Sequence, residues 1–223
     1  MMTWLATALW GAAVGLDATS FPQVMISRPL IAGAITGLLV GRPTDGIIVG
    51  ALLELFSLGI LPVGAARYPE AGTAAVAASM AYATAAARPE AHLLLLAVVF
   101  GLGWERVAGL SVTVLRRVNE RLVTAAAARP PGAPRLERTH LTAMALDVLR
   151  GAAVAVVGAF LGTLLLRLLG PFWALGPGVA AGVLAVAGAA MAGAGFSLFG
   201  GANERRIALG LGILCGCAFL LAR

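Results

Sequence analysis

Glu54 poses the sharpest chemical problem in this sequence. It sits in the run Gly50-Ala-Leu-Leu-Glu54-Leu-Phe-Ser-Leu-Gly59, in the middle of an apolar stretch from 46 to 63, with no basic residue within a helical turn. An acidic group at the centre of a helix in lipid costs about 2.5–3.5 kcal/mol. It must therefore face the protein interior, a watery cavity, or an arginine brought in from elsewhere. A carboxylate offers two oxygens as acceptors and can take hydrogen bonds from two vicinal hydroxyls at once. Recognition of a polyhydroxylated solute is the chemistry such a group suits, and pairing with Arg28 or Arg67 is the structural alternative. Glu70 follows Pro69 three residues after Arg67. Arg67 either holds that carboxylate in place or marks a loop.

The remaining reactive side chains offer less. Cys215 and Cys217 stand in C-x-C spacing inside the last apolar run, with no further ligand nearby, and read as small apolar residues. Glu105 and Arg106 are adjacent, so they cannot face each other along a helix and are expected to contact other segments in a structural role. An intramembrane enzyme using Glu54 or Glu105 as acid or base would need a nucleophile or metal set beside it. The sequence supplies none, and neither metal nor cofactor is expected.

These residues must be positioned by elements that live in a bilayer. Hydrophobic residues make up 60% of the 223 and charged residues 12%, against about 25% charged in a soluble domain. The expected fold is all-α and polytopic, with roughly seven to nine membrane segments at about 20 residues per span, some of them short, broken or re-entrant. The formal charge is +6, and all 16 basic residues are arginine. No basic stripe with interleaved aromatics exists outside one short loop, so nucleic acid is not an expected partner. Loops held on the cytoplasmic side account for the charge.

Along the chain, Met2 to Leu16 reads as a first membrane helix rather than a cleaved signal. Pro29 to Gly41 is too short to span unaided. Gly64 to Gly72 is a small-residue turn, Gly72 to Ala87 is alanine-rich, and His92 to Leu110 is apolar. From Ser111 to Ala128, Val112, Leu115, Val118 and Leu122 recur at helical spacing among arginines, which predicts an amphipathic helix lying at the interface. A loop from Arg129 to Thr139 follows. Six of the sixteen arginines fall between 111 and 139, and this stretch is expected in the cytoplasm. His140 to Leu169, Gly178 to Phe196 and Ile207 to Ala222 are further spans. The chain divides into an N-terminal half, 1–110, with the candidate site, the cytoplasmic stretch 111–139, and C-terminal helices 140–223. Gly33, Gly37 and Gly41 recur every four residues, as do Gly212 and Gly216, a spacing that lets helix backbones approach in lipid. Awkwardly short apolar elements with ionisable groups at membrane depth are how many transporters build a solute site.

The ordered motifs of this region carry a family resemblance. Ser27-Arg-Pro-Leu-Ile-Ala-Gly33, Gly37-Leu-Leu-Val-Gly41, Thr44-Asp-Gly-Ile-Ile-Val-Gly50, Leu53-Glu-Leu-Phe-Ser-Leu-Gly59, Val63-Gly-Ala-Ala66 and Pro69-Glu70 follow one another almost without gaps. Together they resemble the enzyme IIC component of mannose/fructose/sorbose-type phosphotransferase systems. The resemblance implies a permease subunit that pairs with a membrane IID subunit and moves a hexose or amino sugar inward by an elevator-like motion. Soluble IIA and IIB subunits would pass phosphate to the sugar on phosphohistidines. It implies a multi-pass protein of the bacterial inner (cell) membrane, in contact with lipid and working as an oligomer. By position, Glu54 matches the family's membrane glutamate, Glu70 its acidic residue after proline, and Ser27 and Arg28 the opening of the R-P-L-I element. Arg67 joins this set as a candidate. Gln23 and Pro22 stand where the family is usually acidic. The late helix is simplified toward alanine and glycine, and the chain is shorter than typical members. A diverged scaffold or binding subunit that does not transport is the alternative these departures support. His92 and His140 are not in phosphocarrier-like contexts and read as interfacial polar residues. This chain is not expected to be an enzyme in its own right.

Overall fold

The computed structural model describes residues 2–58, 69–86, 90–128, 134–173, 175–198 and 200, together with 207, 210 and 214. Arg67, Cys215 and Cys217 lie outside the described residues, as do Gly212 and Gly216. The described elements are the helices α1 (Met2–Thr19), α2 (Pro29–Val40), α3 (Pro43–Ser57), α4 (Ala71–Ala85), α5 (Ala91–Ala127), α6 (Pro134–Leu169) and α7 (Pro177–Leu198). Three of them, α5, α6 and α7, are long and apolar enough to cross a membrane, and the 12-residue α2 is a shorter apolar helix. The polytopic all-α expectation therefore holds, short elements included.

Helix α4 is the axis around which the others pack. Every residue from Gly72 to Ala83 is buried, so the helix is enclosed on all sides. Its alanines let α1, α2, α5 and α6 come close. Helix α1 is antiparallel to α6, and Gly11 and Gly15 lie against Gly151. A Cβ at Gly15 would stand 2.7 Å from the Gly151 Cα. Phe100 and Trp104 of α5 stack at 5.8 Å over Gly162 and Gly158 of α6. Outside this core, Leu5, Leu9, Phe160, Leu164, Val179 and Val183 are exposed, which is the arrangement a lipid surround favours.

Helices α2 and α3 form a tight hairpin, and its turn is written in three consecutive residues. Gly41 adopts φ 76°, a left-handed conformation that glycine reaches without steric cost. The Arg42 N–H donates to the Gly37 carbonyl at 2.7 Å and the Gly41 N–H to that of Leu38 at 3.1 Å, closing the helix end in the manner of a Schellman turn. Pro43 then opens α3 at a position where its missing N–H has no helical partner to lose. The two helices touch backbone to backbone. A Cβ at Gly33 would fall 2.7 Å from the Gly46 carbonyl oxygen and 2.8 Å from the Gly50 Cα. Gly33 and Gly37 thus pack as their spacing predicts, and Gly46 and Gly50 are the matching ridge. Gly41 serves the turn instead.

The hairpin runs alongside α4. At one end the Ser27 carbonyl abuts Gly72, and at the other Arg42 donates to the Ala86 carbonyl at 2.6 Å while pairing with Asp45, also at 2.6 Å.

Two expectations about the middle of the chain need correction. Residues Ser111 to Ala127 do not form a separate helix. They continue α5 in one unbroken helix of 37 residues, about 55 Å long at 1.5 Å per residue. The backbone does not change at Ser111, because no proline or turn sequence interrupts the helix there. The connection at 129–139 is also shorter than the sequence suggests, since Pro134 already opens α6.

Candidate functional site

The polar groups gather at the N-terminal end of α4, where α1 ends, α2 begins and α3 finishes. Arg28 precedes α2 in an extended conformation and supplies no side-chain cap. The exposed first N–H groups of a helix need acceptors, and Glu54 of α3 provides one. Its Oε2 accepts the Leu30 N–H at 3.3 Å, and its Oε1 takes an ion pair from the Arg28 guanidinium. The glutamate is thus satisfied by an arginine far away in sequence, one of the two partners weighed above. The pair is not sealed off, since the Arg28 side chain is 48% exposed and that of Glu54 16%.

Residues 20–28 wrap this end as an irregular loop. Gln23 and Met25 take φ values of 59° and 69°, uncommon for residues other than glycine. Asp17, buried at the end of α1, fixes the loop by accepting the Val24 N–H at 2.6 Å and the Ser27 N–H at 2.9 Å. Gln23 is exposed, Ser27 partly buried, and the Ser27 carbonyl rests on Gly72.

Glu70 lies behind that contact. It caps α4, with Oε1 accepting the Thr73 N–H at 3.1 Å and Oε2 taking the Thr73 hydroxyl and Arg150 Nη1, the latter at 3.3 Å. Its side chain is 5% exposed. Arg150 of α6 spreads over four elements. Nε reaches Asp147 Oδ1 at 2.9 Å, Nη1 reaches Glu70 and Ser111 Oγ, the hydroxyl at 3.2 Å, and Nη2 reaches the Gly15 carbonyl at 3.1 Å. Asp147, fully buried, receives Thr19 and Ser20 hydroxyls on its other oxygen, Ser20 at 2.6 Å.

Five of the six sequence-predicted site residues, Gln23, Ser27, Arg28, Glu54 and Glu70, are therefore at one end of the molecule. Arg67 lies outside the described residues. Sequence reasoning missed Asp17, Asp147 and Arg150 as parts of this site. Asp147 and Arg150 are three residues apart and so share a helix face, a signal available in the sequence, but only the fold supplies Glu70 as their partner.

Other flagged residues fall elsewhere. His92 pairs with Glu90 at 3.2 Å near the far end of α4. His140 lines a cleft of about 480 Å³ with Ser20, Phe21, Asn119, Ala143 and Met144. Glu105 is buried and the Arg106 side chain 69% exposed, but Arg106 Nε lies 3.9 Å from Glu105 Oε1. These neighbours do pair, against the expectation from their adjacency, because a long arginine side chain can fold back along the helix. The Glu105 carbonyl accepts the Glu70 N–H at 3.0 Å. Among the described residues no cluster of His, Cys, Asp and Glu is arranged to hold a metal.

Short paired helices, packed through glycine and ending in ion pairs among long apolar helices, define a multi-pass membrane protein. Comparison with known proteins makes this specific. The family model described as the sorbose-specific IIC component of the phosphotransferase system matches residues 1–200, and the chain belongs to that family. It is 41% identical over 66 residues to the sorbose-specific EIIC component of Lacticaseibacillus casei, covering 30% of this chain and 24% of that one. To the mannose-specific EIIC component of Escherichia coli K12 it is 39% identical over 54 residues, covering 24% and 20%. The matched stretches thus span about a quarter or less of these relatives. In fold it is similar to the mannose transporter ManYZ solved by cryo-EM with microcin E492, at TM-score 0.60 and 21% identity over 97% of this chain and 84% of that one. Another solved membrane protein gives TM-score 0.70 at 20% identity over 97% and 85%.

Proposed function

We propose that this chain is the permease subunit of a mannose-type phosphotransferase system. It moves a hexose or amino sugar inward across the bacterial inner membrane together with a IID-type subunit. Soluble IIA and IIB proteins couple the movement to phosphorylation, and this chain transfers no phosphate itself. The single observation that carries the reading is the half-open Glu54–Arg28 pair at the mouth of the α2–α3 hairpin, which the loop bearing the exposed Gln23 leads into. A carboxylate accepts hydrogen bonds from sugar hydroxyls and a guanidinium donates to their oxygens, so a sugar entering between them exchanges one set of polar partners for another. Ser27 and Gln23 complete the polar rim. Glu70, buried behind Gly72, acts on this rim from beneath, and Arg67 belongs with it by resemblance.

The test is Glu54→Gln, expressed with the neighbouring IID-type subunit and assayed for uptake of radiolabelled mannose, fructose and sorbose. Glutamine keeps the size and one acceptor but loses the charge that holds Arg28. Uptake is expected to fall about ten- to a hundredfold, the scale of about 1.5–3 kcal/mol for a lost charged hydrogen bond, with membrane content unchanged. Normal uptake in this variant shows that the glutamate only caps α2. The second reading, a scaffold of the same fold that does not transport, is favoured by Pro22 and Gln23 where the family is usually acidic. It prevails if the wild-type pair takes up none of the three sugars.

A further inference from the structure

We infer that Arg150 is a positioning residue for sugar recognition, acting on the site without touching the solute. The inference rests on the permease reading above and names a residue that reading does not use. Three routes lead from this guanidinium to the candidate rim. Through Glu70, which it holds at 3.3 Å, it steadies the cap of α4, and the Gly72 backbone two residues on supports the Ser27 carbonyl, which a Cβ there would meet at 2.5 Å. Through Asp147, at 2.9 Å, it orients the carboxylate that receives Thr19 and Ser20, the residues from which the 20–28 loop departs. Through the Gly15 carbonyl, at 3.1 Å, it grips the last turns of α1, where Asp17 holds the Val24 and Ser27 N–H groups. Arg28 follows Ser27 directly, so the position of the Glu54–Arg28 pair depends on this loop.

The chemistry demands arginine. The acceptors lie on α1, α4, α5 and α6 and are reached by three different nitrogens of one planar group. A lysine offers its donors from one atom and cannot serve four separated acceptors. With an 8% exposed side chain, Arg150 has no direct access to a solute.

The test separates placement from mere stability. In the wild-type complex and in Arg150→Lys and Ser111→Ala variants, uptake of mannose, fructose and sorbose is measured against concentration and normalised to folded protein. Loss of placement raises KM with little change in maximal rate, because recognition weakens while the carrier cycle remains. A purely structural arginine lowers the amount of folded protein and leaves KM alone. Arg150→Lys is expected to raise KM about tenfold and Ser111→Ala, which removes one of the four anchors, about twofold to threefold. If Arg150→Lys fails to accumulate, Ser111→Ala decides, since it deletes only a hydroxyl. An unchanged KM in whichever variants accumulate overturns the inference and leaves the permease reading intact. A wild-type complex that moves no sugar overturns both.

Discussion

The α2–α3 hairpin and the junction of α1, α4 and α6 solve the same problem by opposite means. Both bring backbones together inside a membrane protein, where lipid offers helices no hydrophobic drive to associate. The hairpin does so with absence of side chain: Gly33, Gly37, Gly46 and Gly50 meet main chain to main chain. The junction uses glycine too, at Gly11, Gly15 and Gly151, but adds Arg150, Asp147 and Glu70 in a buried ionic network. A glycine contact tolerates any charge nearby and no added volume. A buried ion pair tolerates small changes of shape and no loss of charge. The hairpin, which carries the Glu54–Arg28 pair, is thereby closed to added volume, while the junction behind it can be tuned by its polar partners.

Substitution can break this contrast or sharpen it. The largest effect is expected from Gly46→Leu, whose side chain would overlap the Gly33 carbonyl and the Gly37 backbone. Neither neighbour is a flexible side chain that could yield, so no folded protein should be recovered by size-exclusion chromatography of detergent extracts. Recovery of a monodisperse peak would show that the hairpin can open. Next comes Asp147→Asn, which preserves shape and deletes a charge. Removing one partner of a buried pair costs about 3–5 kcal/mol, and Glu70 remains to hold Arg150, so the low end of that range is expected in denaturant or thermal melts. A loss below about 1 kcal/mol, the scale of a neutral hydrogen bond, would mean that the charge is dispensable and the contrast false. Smallest is Gly103→Ala in α5. Nothing lies within 4 Å of a Cβ there, and alanine is the better helix former by about 0.8–1.0 kcal/mol. A slight rise in melting temperature is expected. A fall would place an unseen neighbour, such as a partner subunit, against that face.

The membrane class, the short helix from Pro29 and the packing of Gly33 and Gly37 were legible in the sequence, whereas Gly41, read into the same ridge, turned out to make the turn. The legible features depend on composition and on residues within a few positions of one another. Glu54 was also legible as a group in need of a polar partner, because the cost of a carboxylate in lipid does not depend on the fold. Its partner was not. Arg28 and Arg67 were both open, and only the hairpin's return brings the N-terminus of α2 to the side chain of α3. Ser111 to Ala127 misled for a related reason. A switch from apolar to amphipathic pattern reports what surrounds a helix and not where it stops.

What the sequence determined by itself was the inventory: helices for a bilayer, the small residues that let them touch, and the few charges that could not face lipid. The tertiary structure alone decided the pairings: Glu70 with Arg150 across 80 positions, Asp17 with the 24–27 loop, and Gly46 with Gly33. It also decided that α4 is the axis. In a soluble protein a polar stripe would reveal which face of a helix is buried. Helix α4 has no such stripe, and where both surroundings are apolar the contrast that marks an inside is missing, so the inside appears only when the helices are packed.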